Sequence, residues 1–93
     1  MRCRFASKTS ARDLNDRSWQ TVCHPAGSLE SYRRALRLAE ATCVRQPDYG
    51  PYLNTLGVAQ YRCGLYREAL DTLRQSEPLN AKLFHRSLLV HPG

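Results

Sequence analysis

No run in the 93 residues stays apolar for the ~20 positions that a membrane-spanning helix needs. The sequence has no C-x-x-C pair. Its four cysteines, Cys3, Cys23, Cys43 and Cys63, stand twenty residues apart, a spacing without metal-site or disulfide-framework logic. They read as small buried apolar residues of a reducing compartment, with Cys3 exposed, so no metal and no cofactor is expected, and the expected location is cytoplasmic. Histidine is scarce. Only Cys23 and His24 set a thiol beside an imidazole, and neighbours on a helix point about 100° apart, which rarely lets them act together. There is no glycine-rich phosphate cradle, no catalytic aspartate loop and no paired-carboxylate site. A protein without catalysis and without a small-molecule substrate is expected. Acid is missing from residues 1–12, which carry Arg2, Arg4, Lys8 and Arg12. Four of the six net positive charges lie there, and residues 13–93 are only mildly basic, which argues against nucleic acid as the main partner. That segment also lacks the continuous apolar core of a secretory signal. It is expected to be a basic, disordered tail.

The rest of the chain carries helical patterning. Residues 52–76 read as two helices folded back on each other. In the first, from about Pro51 to Cys63, Leu53, Leu56, Ala59 and Cys63 recur at three- to four-residue steps. Gly64 is the expected stop, since glycine adopts the left-handed conformation cheaply. In the second, from about Leu65 to Glu77, Tyr66, Ala69, Leu70 and Leu73 form the stripe, and Pro78 is the expected stop. Gly57 and Ala69 are small enough to let the two backbones approach closely.

Upstream, Asp13 to Cys23 reads as a short first helix with Asp13 as cap and Leu14, Ser18, Trp19 and Val22 on its buried side. His24-Pro25-Ala26-Gly27 ends it. Ser28 caps a second helix reaching about Arg45. Leu29, Tyr32, Leu36, Ala39 and Cys43 line one face of it, while Arg33, Arg34, Arg37 and Glu40 face water. Gln46 to Pro51 is a stiff corner. Downstream, Leu79, Leu83, Phe84, Leu88 and Leu89 predict a separate last helix from about Asn80 to Val90.

The chain also repeats itself. A step of 34 residues carries Tyr66, Arg67, Ala69 and Leu70 onto Tyr32, Arg33, Ala35 and Leu36, so that YREAL falls on YRRAL. The same step carries Leu73 onto Ala39, Leu53 onto Trp19 and Leu56 onto Val22.

With Leu56-Gly57, Gly64, Tyr66, Ala69 and Leu73 at their spacing, and a 34-residue period, the sequence resembles the tetratricopeptide (TPR) repeat family. The resemblance covers about residues 14–78. It looks like the TPR stretches of large bacterial proteins, including those attached to eukaryotic-like serine/threonine kinases. Leu53 replaces the family's opening aromatic, Gln60 replaces a Tyr, and Ala81 replaces the closing Pro. The resemblance implies an all-α fold, a short right-handed solenoid of about five helices in antiparallel hairpins. It divides the chain into a tail (1–12), an irregular first repeat (13–47), a well-matched repeat (48–78) and a C-terminal helix (79–93) that caps the array or opens a truncated third repeat.

The resemblance also implies a scaffold-type protein-interaction module. Its partner is a peptide or helix held in the groove lined by the first helix of each repeat. Carried over by position, the groove residues are Arg17, Gln20, Asn54, Val58, Tyr61 and Arg62. Asn54 can clamp a peptide backbone, Tyr61 offers a flat face with a polar tip, and Arg17 and Arg62 can pair with carboxylates. Val58 stands where a second groove asparagine of the chaperone-binding carboxylate clamp is found, so that clamp is not reproduced. The competing expectations are a small basic helical protein binding nucleic acid through the tail and the Arg33-Arg34-Arg37 face, and a fragment of a longer array. About three repeats are normally needed for stability. Either the tail helix covers the face of Tyr66 to Leu73, or a second copy does, forming a homodimer through the C-terminal face.

Overall fold

The computed structural model describes residues 10–90, and side chains up to Ala81. The expected disordered segment 1–12 lies outside the described residues up to position 9. Among the described residues the fold is all-helical, with four helices: α1 (Ala11–Val22), α2 (Leu29–Arg45), α3 (Gly50–Arg62) and α4 (Tyr66–Val90).

The caps explain where the helices begin. Ser10 caps α1, its hydroxyl accepting from the Asp13 amide at 3.1 Å. The expected cap, Asp13, instead sits in the first turn, where its charge favours the positive helix end. Ser28 caps α2 as expected, accepting from the Ser31 amide at 3.1 Å. Pro51 stands in the opening turn of α3, where a missing N–H costs nothing. Gly64, with φ +83°, ends the α3 region in the left-handed conformation.

Pro78 does not end a helix. The chain runs as one helix of 25 residues from Tyr66 to Val90 with Pro78 inside it, so four helices replace the expected five. Proline removes one N–H and costs about 3 kcal/mol in a helix interior. Here Pro78 and Arg74, whose carbonyl loses its donor, are both exposed, so water can serve that carbonyl. Inside the same stretch Ser76 is buried and donates to the Leu73 carbonyl at 2.7 Å. Leu73, before the proline, presses on Gly57 of α3, and Asn80, after it, presses on Gly50, so contacts with α3 hold the helix on both sides of the proline. The apolar pattern from Leu83 onward involves side chains outside the described residues.

Successive helices pack on each other, and α1 also packs alongside α3. Cys43 meets Tyr52 and Tyr32 meets Arg62, so α2 and α3 are antiparallel, and Leu73 at Gly57 with Asn80 at Gly50 sets α3 and α4 antiparallel. Gly57 shows how closely α3 and α4 meet. A Cβ there would stand 2.6 Å from Leu73 Cγ and Cδ2, inside any real contact distance. The core sets three alanines against one tyrosine. Val22, Tyr32, Ala35, Ala39 and Ala59 form its centre, with Leu36, Leu56, Val58 and Cys63 packed against it. No helix among the described residues is long and apolar enough to cross a membrane.

Candidate functional site

The first helices of the two hairpins match in space at a step other than 34. Ser18 is fully buried and donates to the Ala35 carbonyl at 2.8 Å. A Cβ on Gly57 would stand 3.5 Å from the Ala69 carbonyl. Ala35 and Ala69 are 34 positions apart, but Ser18 and Gly57 are 39 apart, as are the helix starts Ala11 and Gly50. The extra residues lie in the loop from Cys23 to Ser28, which folds over Tyr32. The Tyr32 hydroxyl accepts from the Gly27 amide at 2.8 Å and donates to the His24 carbonyl.

This register changes which residues of α1 stand beside which residues of α3. Asn15 now matches Asn54, and Trp19 matches Val58. Trp19 is therefore not in the slot of Leu53, which is buried; it is 40% exposed. An open cleft of about 310 Å³ lies between the helices, lined by Asn15 and Trp19 of α1, Pro51, Asn54 and Thr55 of α3, and Asn80 of α4. Asn80 reaches it because α4 passes against the start of α3, where a Cβ on Gly50 would stand 2.5 Å from the Asn80 amide oxygen. The shared word Leu-Asn-x-x-Ser/Gly, at Leu14 and Leu53, carries this register in the sequence. A fixed step of 34 hides it.

The six groove residues expected from sequence separate into groups. Asn54 lines the cleft. Arg17 and Gln20 are exposed on α1, and neither is part of the cleft lining. Val58 is half-buried against the core. Tyr61 is exposed and tilts against Tyr66, ring centroids 5.4 Å apart. Arg62 is engaged within the fold. Its Nε donates to the Val22 carbonyl at 2.9 Å, in the last turn of α1. Its guanidinium lies 5.9 Å from the Tyr32 and Tyr61 ring centroids.

Chemically the cleft offers amides rather than charge. Asn15, Asn54 and Asn80 converge on it, and each amide carries both donors and an acceptor. The Asn15 oxygen is buried and has no hydrogen-bond partner among the described residues, a condition that costs about 1–3 kcal/mol until a donor arrives. The thiols lie elsewhere. Burial pushes the Cys43 thiol up from its ordinary range. Burial also raises that of Cys63, with Arg33 opposing and Glu40 reinforcing the shift. No protein-family model matches the chain, and no curated protein or solved structure does.

Proposed function

We propose that the chain is a non-catalytic protein-interaction module of TPR type, a short helical solenoid that holds a peptide or partner helix along α1 and α3. The observation that carries this reading is the convergence of Asn15, Asn54 and Asn80 on one cleft, with an unpartnered acceptor on Asn15. A peptide backbone presents N–H and C=O groups in alternation, and amide side chains can meet both without a charge. Trp19 adds a broad apolar surface at the rim, at low entropic cost. The repeat words YRRAL and YREAL, the antiparallel hairpins and the Gly57 contact support the TPR reading. A cytoplasmic setting suits free thiols at Cys23, Cys43 and Cys63.

The test is selection from a random peptide library on the full chain, followed by titration of the recovered peptides. The expected binders tolerate salt and lose tenfold or more in affinity on Asn54→Ala and on Trp19→Ala. Recovery of none, or binders indifferent to both substitutions, would refute the cleft as the site. A steep fall of binding with salt would move the function to polyanion binding.

A further inference from the structure

The protein contains a worked example of a helix seated in a groove, and a second groove of the same kind that no helix among the described residues occupies. In the example, α3 lies on α1 and α2. Leu36 and Ala39 of α2 share the core with Ala59 of α3. The Cys43 thiol approaches the Tyr52 carbonyl at 3.6 Å, near the start of α3. At the other end, Arg62 lies over the Tyr32 ring and bonds to the last turn of α1. Val22 of α1 is fully covered.

The 34-residue step on the second helices and the 39-residue step on the first carry this seat onto α3 and α4. Leu36, Ala39, Thr42 and Cys43 become Leu70, Leu73, Ser76 and Glu77. Those four, with Asn54 and Arg74, line an open groove of about 590 Å³. Tyr32 becomes Tyr66, 64% exposed, and Val22 becomes Tyr61, 54% exposed; Leu70 is 50% exposed. The continuous course of α4 through Pro78 keeps its own C-terminal half from folding back onto this face.

We propose that this groove seats a helix of another polypeptide, docked on α3 and α4 as α3 is docked on α1 and α2. The example specifies the occupant. It runs antiparallel to α4, sets apolar and small residues against Leu70 and Leu73, and carries an arginine in its last turn over the Tyr66 ring. Charge supports the direction. Glu77 takes the place of Cys43, which lies beside the first turn of α3, so an acidic side chain stands at the end of the groove where the docked helix would begin and its positive end would lie. This groove shares Asn54 and Asn80 with the cleft at Asn15 and Trp19, but its seat of Leu70, Leu73, Ser76 and Glu77 lies outside that cleft, and the inference does not rest on the cleft binding a peptide.

The probe is a synthetic peptide with the sequence of residues 49–63, locked as a helix by a staple on its solvent side and titrated into the ¹⁵N-labelled full chain. Locking removes the cost of ordering a short helix. The expected result is saturable shifts at the amides of Tyr66, Leu70, Leu73 and Ser76. Leu70→Glu, at an exposed position that leaves the helical circular dichroism intact, weakens binding tenfold or more. Replacing the peptide's arginine by glutamine weakens it several-fold, and Trp19→Ala leaves it unchanged. The absence of shifts at 1 mM peptide, or shifts that Leu70→Glu does not alter, would overturn the proposal. So would a dimer that Leu70→Glu dissociates and that shuts out the peptide, since the face would then belong to a second copy of the chain.

Discussion

In α2 the word Tyr-Arg-Arg-Ala-Leu sits under another helix; in α4 the word Tyr-Arg-Glu-Ala-Leu faces open water. Their alanines behave alike, because Ala35 and Ala69 both press on the first helix of their own hairpin and both are buried. Their tyrosines and leucines differ. Tyr32 is buried beneath the Cys23–Ser28 loop and Arg62, and Leu36 joins the core, whereas Tyr66 and Leu70 are exposed. The word therefore encodes two separable things. Its alanine makes the hairpin, which is local. Its tyrosine and leucine join one hairpin to the next, and that contact exists only where a next helix is present.

The two hairpins also solve close packing differently, which gives the largest effect we predict. At the positions matching Gly57 and Leu73 of the second hairpin, the first has Ser18 and Ala39, both fully buried. Small volume on one helix is balanced by large volume on the other. Gly57→Ser should drive a Cβ into Leu73 and cost about 2–3 kcal/mol. Leu73→Ala alone should cost about 2 kcal/mol. The double variant, which copies the first hairpin, should recover about 1 kcal/mol or more of the summed loss in chemical denaturation. Strict additivity would break the equivalence of the two hairpins.

The next effect separates covered from uncovered leucines. Leu36→Ala should cost about 2 kcal/mol, since it removes packing from the core. Leu70→Ala should stay within about 0.5 kcal/mol, as an exposed change does. Equal losses in urea melts would mean that the α4 face is covered in solution. Tyrosine gives a smaller version of the same contrast. Tyr32→Phe leaves the Gly27 amide without its acceptor and should cost about 1 kcal/mol. Tyr66→Phe should be silent.

What the sequence made legible follows the same division. The stripes of α2 and α3, the Ser28 cap and the Gly64 stop are local signals, and each acts where the pattern puts it except at Leu29, which opens the α2 stripe but is 49% exposed. Two features were hidden for physical reasons. A proline ends a helix only when nothing outside the helix holds the chain helical. At Pro78 the packing of Leu73 against Gly57 and of Asn80 against Gly50 does so, and no local rule sees it. The register of α1 was hidden because a fixed repeat step cannot see a loop insertion. The Ser18–Ala35 hydrogen bond, which lies across the hairpin, picks out the register that the word at Leu14 and Leu53 carries, and it sets Asn15 and Trp19 where Arg17 and Gln20 were expected to project. Asn54 was legible because its hairpin carries no such insertion.

The smallest effect concerns the thiols that close the two first helices. Cys23 caps α1 and is exposed; Cys63 caps α3 and packs against the core. Of the three described thiols, an alkylating reagent should therefore modify Cys23 first, with Cys63 and Cys43 following more slowly, as read by peptide mass spectrometry over time. The pH dependence has a definite sign. Burial raises the Cys43 and Cys63 pKa values in the folded chain, so the unfolded chain releases its thiol protons first as pH rises. The stability linked to these neutral thiols is present below the ordinary thiol pKa of about 8.5. It falls as pH climbs through that value toward the raised ones in the folded state. Replacing both residues by serine should flatten this alkaline decline, while Cys23→Ser should leave it in place. If the decline survives the double replacement, other groups drive it, and the contrast between the exposed and the packed thiol holds for reactivity alone.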